Sequence, residues 1–330
     1  MPVLLNIMLI CSLLIAMFFG TSHVLYLMAG TVVLSGIIQF GILWSRIRRN
    51  HFGLRLVRLR WTPSIRSMFR RLGVSIVGSG FYQITIIIGT LVASFQSGAV
   101  SWLYYSDRII QLPFAIIGLA AGTVLMSSIS NALASKNMRS VYVQQNSTIR
   151  RSLMLTLPCV AGLFVLAHPI IQYLFQYGAW SAESTNAVAL AIKIQVMVLP
   201  AMLISQVYSK TLYASQDVKT PVRTSIVSLA VASALYLGLF SFVGYLAVPI
   251  GVVISGYVKN YLLGRICRRR GLINIDGRTT RAICAFGLLA AILGVLLTLV
   301  PVTGYITLGL AICVYGILYL TMAYLIDRKI

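Results

Sequence analysis

The segment Ser101–Met126, "SWLYYSDRIIQLPFAIIGLAAGTVLM", decides how the chain is read. From Ile109 onward it has the composition of a helix dissolved in lipid, yet Asp107 and Arg108 precede it with no polar loop around them. Ionisable groups inside a bilayer are costly and tend to face a bundle interior or water. The rest of the chain fits a membrane setting. Hydrophobic residues make up 59% and charged residues 10%, whereas soluble domains carry about 25% charged residues. The apolar residues gather in runs of roughly 18–25, the length an α-helix needs to cross ~30 Å of hydrocarbon. The alternation of a membrane β-barrel is missing. The composition therefore predicts an all-α integral membrane protein.

Ten transmembrane spans are predicted, at 2–19, 24–45, 70–95, 99–133, 152–171, 184–213, 222–242, 246–264, 281–300 and 304–326. The fourth and sixth exceed what a bilayer requires, so they must tilt or protrude. The 27 Lys and Arg outnumber the 5 Asp and Glu, for a net charge of +22. In a soluble chain such a balance suggests nucleic acid. Here the basic residues fall in every second connector: the one from Arg46 to Arg71, those holding Lys136 to Arg151 and Lys210 to Arg223, "KNYLLGRICRRRGLINIDGRTTR", and the tail "IDRKI". The connectors between them, such as "FQSGAVS", "QYGAWSAEST" and "SFVGYLAV", have no Lys or Arg. Retention of basic loops on the cytoplasmic side explains this pattern with both termini inside, and no nucleic-acid partner is expected. Some of these cations are expected to touch anionic phospholipids. The Arg46–Arg71 connector also spaces Phe52, Leu54, Leu56, Val57, Leu59 and Trp61 apolarly. It reads equally as an amphipathic surface helix and as a solvated connector. The apolar N-terminus lacks a basic leader region and a clear cleavage site, so it is read as a retained helix.

Within the fourth span Ser101, Tyr104, Tyr105, Arg108 and Gln111 recur at i, i+3, i+4, i+7 and i+10, which places them on one helical face. Asp107 and Arg108 are sequence neighbours and do not face each other on a helix, so they need not neutralise one another. Arg108 then offers a planar fork of donors suited to phosphate. The bland alternative is an arginine that snorkels to the outer surface. Gly118 and Gly122 form a small-x-x-x-small pair for close helix approach. The third span carries a second polar stripe, Ser75, Ser79, Tyr82 and Gln83, which serves either helix packing or substrate contact. Lys193 interrupts the sixth span together with Gln195, Ser205, Gln206 and Ser209; it is either a cavity cation or a snorkelling one. The candidate substrate-binding residues are thus Arg108, Asp107, Tyr104, Gln111, Ser79, Gln83 and Lys193.

Enzymatic signatures are lacking. The five acids form no carboxylate pair, and His23, His51 and His168 have no metal-ligand spacing. Cys11, Cys159, Cys267, Cys284 and Cys313 are scattered with no C-x-x-C, which suggests neither a disulfide framework nor a zinc site. No phosphate-binding G-x-x-x-x-G-K-[ST] loop is present. The expectation is a transporter for an anionic, amphipathic cargo, with no cofactor and with coupling to membrane potential or a cation gradient.

Three segments together resemble the MurJ (MviN) family: "SWLYYSDRIIQLPFAIIGLAAGT", "LFQYGAWSAEST", and "LYASQDVKTPVRTSIVSL" with its Gln216–Asp217 and Thr220–Pro221 pairs. "PVLLNI" near the start is similar to the family's fifth span. The resemblance implies a two-lobe MurJ/MATE-like bundle of the MOP superfamily, whose complete form has fourteen helices around a central cationic cavity. It implies a lipid II flippase of the bacterial cytoplasmic (inner) membrane, moving the undecaprenyl-pyrophosphate-linked peptidoglycan precursor between leaflets for cell wall biosynthesis. Peptidoglycan synthesis proteins are its implied partners. Alternatives are a flippase for another polyprenyl-linked saccharide and a non-transporting relic or scaffold. Arg108 matches the family's cavity arginine, so the resemblance implies that it meets the pyrophosphate. Ser127 stands where the family usually has proline, and Gln206 where some members have lysine. The chain matches the family from the fifth helix onward, which implies that four helices of the N-terminal lobe are absent. The implied division is 1–45 as part of the N-terminal lobe, 46–69 as a basic linker, 70–264 as the C-terminal lobe, 265–280 as a basic loop, and 281–330 as a helix pair forming a lipid-tail groove.

The charge alternation makes a topological prediction. Single cysteines at positions 139 and 217, in a cysteine-free background, should resist an impermeant thiol reagent applied to intact cells. Cysteines at 97, 181 and 304 should react. Labelling at 139 or 217 would refute the assignment.

Overall fold

The computed structural model describes residues 2–19, 24–49 and 62–329, and every regular element among them is helical. They fall into two compact units, Met1–Arg66 and Ser67–Ile330. In the first, α1 (Pro2–Phe19) packs against α2 (Val24–Arg49). Both are apolar nearly all round, with Ser12 and Ser35 buried and bonded to the carbonyls of Leu9 and Val32 at 2.8 Å each. Arg48 at the end of α2 lies over the Trp44 ring, 5.3 Å from its centroid. The apolar stretch from Phe52 to Trp61 lies outside the described residues.

α3 (Pro63–Ala93) leads into the second unit, which continues with α4 (Ala99–Ala134), α5 (Met138–Phe175), α6 (Ala182–Gln195) and α7 (Leu199–Ala214). It ends with α8 (Lys219–Val243), α9 (Ala247–Arg269), α10 (Gly277–Thr298) and α11 (Tyr305–Lys329). α6 and α7 are one rod interrupted by a 3₁₀ turn at Val196–Val198. Counted so, the chain has ten helical rods among the described residues, as the hydropathy pattern predicts. Among the described residues six continuous helical runs are long and apolar enough to cross a membrane, one of them the Lys219–Arg269 run that contains both α8 and α9. Helices are the form a chain takes there because each N–H and C=O is satisfied within its own segment.

α5 is the axis of the second unit. At 38 residues it is about 57 Å long. Near its start, Val141, Ile149 and Leu153 pack with Leu125 and Ile129 of α4, Val207 and Leu212 of α7, and Leu263 and Cys267 of α9. Near its end Leu166 joins Phe286 and Leu293 of α10 and Tyr315 and Tyr319 of α11. Lipid withholds the hydrophobic drive between helices, so close packing at small residues matters most. A Cβ on Gly251 of α9 would stand 2.5 Å from the Tyr236 ring of α8, and one on Gly256 would stand 2.5 Å from Val198. Away from these seams Leu288, Ile292, Leu310 and Ile317 are exposed, as lipid-facing surface should be.

The two ends of the unit are tied differently. At the end without basic residues, Gln96 Oε1 accepts from Tyr245 N at 2.9 Å, Trp102 Nε1 donates to Ser184 Oγ at 3.1 Å, and the Tyr245 hydroxyl donates to Ala187 O at 3.0 Å. Gly244, at φ 58°, lets the chain turn beneath Gln96. At the basic end α4 and α7 stop in the same way. "ASKNMRS" and "ASQDVKT" each put one residue, Lys136 (φ 53°) or Gln216 (φ 63°), in the left-handed region. Asn137 Oδ1 and Asp217 Oδ1 then cap the next helix by accepting from Ser140 N and Thr220 N, both at 3.0 Å.

Here the structure departs from the sequence reading. The predicted fifth span began at 152, but α5 begins at Met138. Its polar first turns are not a loop, because Gln145 and Asn146 are buried and pin the α9–α10 connector. Gln145 Nε2 donates to Thr211 Oγ1 at 2.9 Å and to Leu272 O at 3.0 Å. Asn146 Nδ2 donates to Asn274 O at 2.7 Å, and Asn146 Oδ1 accepts from Asp276 N at 3.2 Å. Arg270 pairs with Asp217, and Arg150 Nε lies 2.9 Å from Asp327 Oδ1 on α11.

Two carboxyls of this end are held below the usual carboxylate range. For Asp217, partial burial pushes upward, and hydrogen bonds from Thr220 with the Arg270 guanidinium outweigh it. For Asp276 the Thr279 hydrogen bonds dominate. A depressed carboxyl adds stability that is complete above its unfolded pKa of about 3.9 and is lost as pH falls through the lower folded value. The thermal unfolding temperature in detergent should therefore fall once the pH is below about 4. Asp217→Ala should cost about 1 kcal/mol, the value of a lost N-cap. Arg270→Ala should cost less than about 1 kcal/mol because the pair is partly exposed. Equal losses would show that the ion pair, not the cap, holds the turn.

Candidate functional site

α4 has two faces. Ala99, Leu103, Ser106, Ile110 and Ile117 are buried, whereas Tyr104, Arg108, Gln111 and Leu112 are exposed. Arg108 lies nine residues inside α4, about 14 Å along the helix from its neutral end. That is roughly half of the ~30 Å hydrocarbon thickness. Its Nη2 donates to the Tyr104 hydroxyl at 3.0 Å, and its guanidinium carbon lies 4.8 Å from the centroid of the same ring. Tyr104 therefore fixes the fork from one side. An arginine has five N–H donors, and among the described residues hydrogen bonding to Tyr104 leaves most of them open.

Asp107 and Arg108 act on each other through space but make no close ion pair: among the described residues the ion pairs are Arg150–Asp327 and Arg270–Asp217. Asp107 Oδ1 instead accepts from Gln195 Nε2 at the end of α6, and Gln195 Oε1 accepts from the Ser106 hydroxyl at 3.2 Å. Ser106 is fully buried and Gln195 nearly so. The adjacent charges thus diverge, the carboxylate into the bundle and the guanidinium out of it.

The other predicted residues are placed as follows. Gln111 is exposed on the Arg108 face. Gln83 is exposed on α3, ten residues from its end at Ala93, or about 15 Å deep. Lys193, partly buried on α6, makes no hydrogen bond or ion pair among the described residues, and it lies about 17 Å from the start of its helix. These three and Arg108 therefore share a similar depth. Ser79 lies in α3, but its side chain is outside what the structure describes. Sequence reasoning gave no role to Ser106 or Gln195. Gln195 was detectable as a polar residue on the buried stripe of Val188, Ile192 and Leu199; its partner on α4 was not.

The small pair on α4 meets Gln206 of α7. A Cβ on Gly118 would stand 3.0 Å from Gln206 Oε1 and 3.2 Å from Leu203 Cδ2, and one on Gly122 would stand 3.2 Å from Gln206 Nε2. This close approach seats α4 against α7. No group of three or more potential metal ligands occurs among the described residues.

A multi-pass helical bundle with one interrupted rod, and with an exposed arginine at mid-depth, belongs to the class of polytopic α-helical membrane proteins. Its fold matches a solved multidrug resistance MATE family transporter of the MOP superfamily in an outward-facing conformation. The TM-score is 0.51 at 12% identity, over 77% of this chain and 63% of that one. The match is better to the inward closed conformation of the lipid II flippase MurJ, with a TM-score of 0.77 at 21% identity over 99% of this chain and 66% of that one. The sequence model of the family described as lipid II flippase MurJ matches residues 1–316, and the chain belongs to that family. A probable lipid II flippase MurJ of Rhizobium meliloti (strain 1021) is 32% identical over 298 residues. That alignment takes in 88% of this chain and 56% of the relative, so the chain spans little more than half the relative's length.

Enlarging the seam should disturb α4 without touching Arg108. Gly118→Leu should lower the thermal unfolding temperature in detergent by several degrees, as overpacking costs about 1–3 kcal/mol. Gly30→Leu, with no atom within 4 Å of its Cβ position, should leave it unchanged. An unshifted Gly118→Leu would mean that α4 and α7 are not seated on these glycines.

Proposed function

We propose that the chain acts in moving lipid II, the undecaprenyl-pyrophosphate-linked peptidoglycan precursor, across the bacterial cytoplasmic membrane, and that Arg108 binds its pyrophosphate. The observation that carries this reading is the exposed, largely unsatisfied guanidinium half a membrane deep, in a chain of the MurJ family. A bidentate fork matches phosphate oxygens, and Tyr104 pre-orients it. Gln111, Gln83 and Lys193 share its depth and supply further donors, with Ser79 on the same helix as Gln83. Asp107, turned into the bundle, contributes to the site by leaving Arg108 unpaired. The apolar faces of α10 and α11, within 281–330, suit the lipid tail. In this reading both termini are cytoplasmic, and the Arg268–Arg270 cluster meets anionic phospholipids; assembly with peptidoglycan synthesis proteins follows from the role.

No nucleotide site is needed for such transport. Carrying two negative charges outward across 100 mV releases about 4.6 kcal/mol, at ~2.3 kcal/mol per charge.

The test is binding of undecaprenyl pyrophosphate, with undecaprenol as uncharged control, to the purified chain in nanodiscs. Arg108→Ala should weaken pyrophosphate binding more than about tenfold, as loss of a charged contact does, and leave undecaprenol binding unchanged. Arg108→Lys should recover part, since the charge returns without the fork. Near-wild-type binding by both variants would show that Arg108 only snorkels and would refute the reading.

A further inference from the structure

Gln195 is the last residue of α6, directly before the 3₁₀ turn at Val196–Val198. There the helical bonding loosens, and Val196 N bonds to both Ile192 O and Ile194 O. A buried glutamine at such a break must satisfy two donors and an acceptor. Gln195 satisfies one donor and the acceptor on two consecutive residues of α4. Its amide donates to Asp107, whose carboxylate can only accept, and its carbonyl shares the Ser106 hydroxyl proton, at 3.2 Å, with Leu103 O at 2.9 Å. Successive residues on a helix point about 100° apart, so a group that grips both 106 and 107 resists rotation of α4 in either direction. Arg108 is the next residue, and its direction follows.

We propose that Gln195 is a positioning residue: by gripping Ser106 and Asp107 with the two ends of its amide, it sets the rotation of α4 and so aims Arg108 towards the ligand, while it holds the Asp107 carboxylate within the bundle. Released from Gln195, the Asp107 carboxylate would have the neighbouring guanidinium as its nearest cation in sequence, and the charge offered to an anion would fall. The value of this arrangement rests on the reading of Arg108 as the pyrophosphate contact.

The two side chains allow a test that preserves shape. Gln195→Glu sets two carboxylates against each other, which disfavours both charges. Adding Asp107→Asn returns one amide and one carboxylate to the same positions, exchanged between helices. Pyrophosphate binding to the full chain in nanodiscs should fall about tenfold in Gln195→Glu, the scale of a misplaced binding group. It should return to within about twofold in the double variant. If Gln195→Glu does not fold, judged by thermal unfolding, Gln195→Met keeps the length, loses both bonds and takes its place, with the same loss expected. Weakened binding in Arg108→Ala with none in Gln195→Glu overturns the positioning role alone. A loss in Gln195→Glu that the double variant fails to restore also overturns it, because the amide–carboxylate bond and the net charge are then both back in place and binding is still lost. Unchanged binding in Arg108→Ala refutes the function reading, and this inference falls with it.

Discussion

The rest of the second unit answers to one constraint: a guanidinium half a membrane deep must find partners. Left in hydrocarbon, a charged side chain costs about 2.5–3.5 kcal/mol or more. The bundle could have cancelled Arg108 with the adjacent Asp107. It does not. The carboxylate is taken up by Gln195 across the helix interface, and among the described residues the guanidinium keeps a single internal hydrogen bond, to Tyr104. An arginine inserted at this depth and left open among the described residues is what the proposed pyrophosphate contact requires.

α4 can hold that position because its opposite face is locked. Near the neutral end Trp102 stacks edge-on against Tyr245, 5.2 Å between centroids. In the middle are Ser106 and Asp107, and further along Gly118 and Gly122 admit Gln206. The basic end is held by polar bonds, with α5 pinned to the α9–α10 connector through Gln145 and Asn146. The interrupted rod of α6 and α7 lies against α4 along this whole path, so a bend at Val196–Val198 is placed to move the groups that seat α4.

Much of this was legible beforehand. Ten apolar runs gave ten rods, because hydrocarbon thickness fixes span length and backbone bonding forces helix. The polar face of α4 was visible as a period, and the i, i+1 geometry of Asp107 and Arg108 already implied that they point apart. What stayed hidden depends on residues far apart in the chain. Gln145 and Asn146 look like loop residues until the 271–276 segment supplies their partners, so the start of α5 was misplaced. Gln195 looks like an interruption of an apolar run until Ser106 and Asp107 are set opposite it. Gln206 gains meaning only from two glycines on another helix.

The account turns on whether Arg108 touches the pyrophosphate. Solid-state NMR of the chain in lipid, with ¹⁵N in its arginine side chains and ³¹P in bound undecaprenyl pyrophosphate, measures that contact directly. A charge-assisted fork with N–O distances of about 2.8 Å puts nitrogen within about 4.5 Å of phosphorus. The account predicts a strong ¹⁵N–³¹P dipolar coupling that disappears in Arg108→Lys. The same coupling persisting in Arg108→Lys would assign the contact to another arginine and contradict it.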